Sequence, residues 1–294
     1  MDLLLRQIVN SVNLGSIYAL VAIGYTMVYG IIRLINFAHG EIMMFGAYFS
    51  FFLATWFSTQ LPFIVIVVLS MGLAALMGVL MEKVAYKPLR KAPRISALIT
   101  AIGMSLFLQN VALLIFKPEP RVMPKLISKE LFDFLGFQVS NLTIVTILLS
   151  VGFMVLLSIF VKKTKPGKAM RAVSLDKEAS TLMGINVNGV ITMTFAIGSA
   201  LGALGGVLYG IAFTQVYPTL GVMPGLKAFV AAVLGGIGSL PGAMIGGYLI
   251  GIIETMTKAY ISSAWANAIV FGILIIVLLI KPTGLLGKNL KEKV

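Results

Sequence analysis

Cysteine is absent from all 294 residues, so disulfides, thiolate nucleophiles and cysteine-ligated metals are excluded. Charge is scarce as well: Asp, Glu, Lys and Arg make up 11% of the chain, where a soluble domain carries about a quarter. Acids are the scarcer kind, 10 against 23 Lys and Arg, and histidine occurs once, at His39. One histidine without a carboxylate cluster is a poor metal site, and no Ser-His-acid triad can be assembled. The phosphate loop G-x-x-x-x-G-K-[ST] is missing too: Gly167-Lys168 is followed by Ala169, and Gly287-Lys288 by Asn289. If ATP powers this protein, the nucleotide binds another chain. No cofactor is expected here.

What the chain has in abundance is apolar surface. Hydrophobic residues are 59% of it and the mean hydropathy is +1.02, which makes it a polytopic membrane protein whose solvent is lipid. The net charge of +13 does not point to nucleic acid, because the basic residues cluster in short loops beside apolar segments. The start, MDLLLRQIVN, reads as a retained segment and not as a cleaved signal.

Apolar segments cover 8–30, 42–57, 62–81, 95–116, 141–161, 189–213, 225–257 and 265–280. Residues 117–140 form a mixed-charge loop with an amphipathic piece at 131–137. This pattern predicts an all-α, polytopic transmembrane helical bundle, one domain over 1–294. It has about eight to nine crossings, with broken or re-entrant segments near 31–41 and 238–242. Orientation follows from Lys and Arg: with 82–94, 162–188, Arg33 and the C-terminal tail inside, 16 of 23 are cytoplasmic. Among the seven left outside are Lys129, Lys227 and Lys258. The N-terminus is then outside and the C-terminus inside, which needs an odd number of crossings. Nine result if 225–238 and 242–256 are short crossings or half-helices.

Irregular backbone at membrane depth is tolerated only where protein or a water-filled cavity satisfies its polar groups. Two such breaks, each followed by a similar tail (Met44 to Tyr48, Met244 to Tyr248) exactly the same 200 residues on, point to a transporter pathway built on repeats. Asn36, His39, Glu41, Gly238, Ser239 and Pro241 are therefore candidates to line it. An alternative for Asn36, His39 and Glu41 is a helix-end cluster that caps orphan backbone groups at the membrane interface. Gly198, Gly202, Gly206 and Gly210, at i, i+4 spacing, and the pairs Gly242/Gly246 and Gly247/Gly251 suit close helix packing within the chain. Glu254 reads as a nearly solitary acid, which argues against a proton relay.

The polar island 162–188 carries six of the 23 basic residues and must lie outside the bilayer. Within it Leu175, Ala179, Leu182 and Met183 recur at helical spacing. Ser174 is the expected N-cap, Glu178 falls near the positive end and Gly184 supplies the stop, for a helix ~14 Å long. Its stripe must be covered by headgroups, by the protein's own helix ends or by a soluble partner. The run from Glu178 to Gly184, EASTLMG, resembles the EAA-x-x-x-G loop of bacterial ABC importer permeases, with Ser180 in place of the second Ala. The stretches 25–48 and 233–251 resemble the branched-chain amino acid permeases of the LivH type, and the resemblance runs from about Gln7 to Pro282. It implies a permease subunit, not an enzyme, in the cell inner membrane. Its partners would be a second, homologous permease (a heterodimer), two cytoplasmic ATPases, an extracytoplasmic solute-binding protein and membrane lipid. It also implies that Leu175, Glu178, Ala179, Leu182, Met183 and Gly184 couple to an ATPase groove. The cargo would be leucine, isoleucine or valine, or a related small amino acid or amide. A stand-alone secondary transporter or channel for a small polar solute is the alternative.

Overall fold

The computed structural model describes residues 2–57, 61–90, 92–127, 131–134 and 137–287. The tail lysines Lys288, Lys291 and Lys293, and Lys129, lie outside the described residues.

The bundle is built around α1 (Asp2–Ile32), 31 residues and so roughly 46 Å long. Its apolar run, from Ile17 to Ile32, is almost wholly buried. It packs against α5 (Asn141–Lys163), α8 (Val187–Phe213), α9 (Val222–Gly235) and α10 (Leu240–Tyr260). On the far side of α8 lie α2 (His39–Trp56) and α3 (Phe63–Met81). Two further helices, α4 (Arg94–Phe116) and α11 (Ala266–Ile280), are peripheral. Among the described residues six helices (α1, α3, α4, α5, α8 and α10) are long and apolar enough to cross a membrane, while α9 and α11 are shorter apolar helices. The outer faces of α3, α4 and α5 expose Ile64, Leu76, Leu80, Ile99, Phe107, Leu148 and Leu156. In lipid such a surface carries no penalty.

Glycine sets the interhelical spacing where backbones touch. A Cβ on Gly206 of α8 would fall on the Met43 carbonyl of α2, and one on Gly46 would fall on Ala203. Gly247 and Gly251 of α10 meet Ala19 and Gly15 of α1 in the same way, while Gly242 and Gly246 meet Gly235 and Ala231 of α9. The small-residue stripes therefore pack within the chain, as their spacing led us to expect.

Local details differ from the sequence expectation. The helix α3 does not stop at Met81 but runs on as a π-helical turn, Glu82–Tyr86, because Glu82 is fully buried and paired. Its carboxylate bonds the Arg90 guanidinium and accepts from Thr192 Oγ1 at 2.8 Å, which ties α3 to the start of α8. The amphipathic piece at 131–137 lies in a hairpin, β2 (Leu131–Phe134) with β3 (Phe137–Ser140). A second ribbon pairs β1 (Arg121–Val122) with β4 (Gln215–Val216). Both are short, and the bundle is all-α.

Two charges have partners that the sequence did not show. Lys227, counted among the external cations, is buried in α9 and donates to Glu254 Oε1 at 2.7 Å. Glu254 is the one acid of α10, as read, but it is fully partnered: Lys258 also donates to Oε1 at 2.6 Å and Tyr18 Oη donates to Oε2 at 2.8 Å. The packing of α9 against α10 brings the partners together, and the carboxylate compensates the Lys227 ammonium in a place where an unpaired charge would be costly.

Candidate functional site

The first break begins where α1 ends. Arg33 adopts φ +59, in the left-handed region, and the chain doubles back without helix until His39 opens α2. The His39 ring is 4.5 Å from the ring of Tyr25 and packs against Gly24 and Gly202. Gly24 is eight residues from the end of α1, so α2 starts about 12 Å inside the bundle. Asn36, His39 and Glu41 are all buried. They have different surroundings. Asn36 Oδ1 accepts from Tyr86 Oη at 2.8 Å; Glu41 Oε1 accepts from Ser105 Oγ at 3.2 Å.

The second break, between α9 and α10, covers 236–239, slightly earlier than expected. Gly236 and Gly238 have φ +103 and +91, which only glycine adopts without strain. Leu240, Pro241 and Gly242 already belong to α10: Pro241 sits in the first turn, and the Ser239 side chain caps the N–H of Gly242. Gly238 donates to Thr26 Oγ1 at 2.8 Å and lies against Gly30. Both breaks therefore meet the last third of α1, and Asn36 and Ile237 line one small cavity beside Tyr25 and Thr26. Gly238, Ser239 and Pro241 do not reach Glu41.

Around Glu41 lies a different cavity, about 190 Å³, bounded by α1, α2, α4 and α9. The N-termini of α2 and α9 meet here, with Gly40 packed on Gly221 and Gly225. Neither helix has a side-chain cap. A larger cleft, about 380 Å³, opens between α1, α8 and α10. Its charged residue, Lys258, is already committed to Glu254. Ser105, Tyr86 and Tyr25 were not singled out by sequence, and nothing in their local spacing marks them.

The island folds as two helices, not one. An amphipathic α6 (Lys165–Leu175) is capped by Thr164, and α7 (Lys177–Leu182) follows. The N-cap of α7 is Asp176, not Ser174: its carboxylate accepts from the N–H groups of Glu178 and Ala179, both at 2.9 Å. That bond competes with helix continuation and breaks the helix there. Ser174 instead donates to Arg171 O within α6. The apolar stripe is thus split, with Leu175 at the end of α6. Gly184 stops α7 with φ +78, and no atom lies near its missing Cβ, so the turn requires glycine for conformation and not for space.

Leu175, Leu182 and Met183 are 72%, 88% and 82% exposed, and Glu178 and Ala179 are exposed beside them. Ser180 is buried, its hydroxyl bonded to Asp176 O. Lys177 Nζ donates to Ile32 O at 3.3 Å, so α7 grips the carbonyl end of α1. Partial desolvation, then repulsion from Arg33 and Arg90, pulls the Lys177 ammonium below the usual lysine range. Arg33 reaches back to Ser174 O at 3.5 Å.

Comparison with known proteins gives a consistent result. Residues 7–279 match the family described as branched-chain amino acid transport system, permease component. The high-affinity branched-chain amino acid transport system permease protein LivH of Escherichia coli K12 is 44% identical over 304 aligned residues, covering 99% of this chain and 97% of that one. The permease protein BraD of Pseudomonas aeruginosa is 41% identical, covering 99% and 98%. The solved structure of PsaBC from Streptococcus pneumoniae shares the fold, with a TM-score of 0.50 at 16% identity over 93% of this chain and 91% of the other.

Proposed function

The chain belongs to the branched-chain amino acid transport system permease family, and from that membership we propose that it is the membrane-spanning subunit of an ABC importer. Its cargo is leucine, isoleucine, valine or a related small amino acid or amide. ATP is hydrolysed by two separate cytoplasmic subunits, a second permease completes the membrane part, and a solute-binding protein delivers cargo from outside the inner membrane. The observation that carries the reading is the exposed apolar surface of α7 at the end of α1. Leu175, Glu178, Ala179, Leu182, Met183 and Gly184 form the docking turn for an ATPase. The grip of Lys177 on Ile32 and of Arg33 on Ser174 links that turn to the break before His39. Displacement of α7 therefore moves the segment that positions Asn36, His39 and Glu41. These residues, with Gly238, Ser239 and Pro241 at the second break, border the route of the solute.

Purified complex in proteoliposomes is expected to take up leucine only with ATP and its binding protein. Uptake by this chain alone, without ATP, would instead make it a secondary carrier or channel.

The island and the tail are cytoplasmic in this reading, and the N-terminus is external. In this cysteine-free chain, Ser174→Cys should resist an impermeant thiol reagent in intact cells while Glu119→Cys is labelled. Labelling of the former from outside overturns the orientation.

A further inference from the structure

Glu41 is 2% exposed, and one of its carboxylate oxygens, Oε2, has no hydrogen-bond partner. The other oxygen has only the Ser105 hydroxyl. No described Lys or Arg pairs with it, in contrast to Glu82 and Glu254, whose carboxylates are fully engaged. A buried acid left this way is costly unless something else completes it. Both Glu41 and Ser105 border the 190 Å³ cavity, below the roughly 300–1,000 Å³ of a drug-sized site and suited to a smaller ligand. Phe37, Ile102, Leu106 and Leu226 give the wall an apolar part, with the polar side chains of Tyr25 and Gln109 beside it. From the opposite side the uncapped N-terminus of α9 supplies positive potential.

We propose that this cavity is an amino-acid subsite in which the Glu41 carboxylate receives the α-ammonium of the solute. The apolar wall then takes the aliphatic side chain, and the start of α9 faces the solute carboxylate. This assignment rests on the reading of the chain as an amino acid permease whose route passes Glu41, and it goes further by giving one residue the ammonium. A competing role for Glu41 is to neutralise the positive end of α2, in whose first turn it lies. That role needs no solute and predicts no preference for cations in the cavity.

The test uses Ser105→Cys in the assembled transporter, whose permease is otherwise free of cysteine. Block of leucine uptake is followed with two thiol reagents of similar size, 2-aminoethyl and 2-sulfonatoethyl methanethiosulfonate. The cationic reagent is expected to react at least ten times faster than the anionic one. Adding Glu41→Gln should collapse that ratio to near unity and lower leucine uptake tenfold or more, while Glu41→Asp keeps the preference and part of the uptake. Equal rates with Glu41 present, or a ratio that survives Glu41→Gln, overturn the ammonium assignment but leave the route intact. A thiol at 105 that neither reagent reaches in an active transporter overturns the route past Glu41 and the subsite with it.

Discussion

Replacing Ala179 by aspartate is expected to leave the permease folded in the membrane and to abolish ATPase co-purification and ATP-driven uptake together. Ala179 is exposed, so the new side chain displaces nothing within the chain. It also falls in the first turn of α7, where an acid is favoured by the helix dipole, so local folding is not weakened. The damage appears only on docking. An unpaired carboxylate then has to be desolvated beside Leu182 and Met183, at a cost of several kcal/mol. Each 1.4 kcal/mol is about tenfold in affinity, so the complex is weakened by at least two orders of magnitude. Pull-down of the ATPases with the tagged permease, measured beside leucine uptake, reads both effects. Should the variant still retain its ATPases and still transport, α7 lies on the lipid surface and the docking reading fails.

The second large effect concerns the buried ions of α9 and α10. With Glu254→Gln, the Lys227 ammonium loses its carboxylate while its side chain stays 7% exposed. Breaking a buried pair from one side costs roughly 3–5 kcal/mol, a large share of the total stability of an ordinary fold. The variant is expected to give little monodisperse protein in mild detergent and a clearly lower midpoint of thermal unfolding. Adding Lys227→Met removes the stranded charge, and the amide oxygen introduced at position 254 can still accept from Tyr18 and Lys258. Most of the loss should then be recovered. A single variant as stable as the parent, or a double variant worse than the single, contradicts this account. Lys258 is half-exposed and can turn to water, so it does not change the sign.

Much of the bundle was legible without coordinates. The apolar segments at 42–57, 62–81, 95–116 and 265–280 return as α2, α3, α4 and α11 within a few residues, because a run of about 20 apolar residues has few alternatives in lipid. Both breaks were readable, the first from Arg33, Asn36, His39 and Glu41 interrupting an apolar run, the second from its clustered glycines, which are poor helix formers. The stop at Gly184 followed from its place after an apolar stripe, and the structure gives it φ +78. The division of the island at Asp176 was missed because an aspartate near a helix start serves equally as cap or as first-turn charge. Only the backbone decides, and here it is extended. The pairing of Lys227 was not legible for a similar reason: a lone lysine in an apolar stretch does not show its partner, Glu254, 27 residues on.

Sequence alone determined what each segment is: a membrane bundle with no nucleotide loop or thiol, two interruptions, and a polar, basic island between two apolar segments. These follow from composition and local spacing, which act along the chain. Tertiary structure decided which residues meet. Tyr86 on Asn36, Ser105 on Glu41, Lys227 on Glu254 and the start of α9 against the start of α2 join positions 27 to 185 residues apart. The physical reason lies in the helices themselves. In water a helix shows its buried side by being polar on the other, but a helix in lipid is apolar all round and carries no such mark. Which face turns inward is set by glycines that permit backbone contact and by buried polar groups that need partners, and both are pairwise properties of the folded chain.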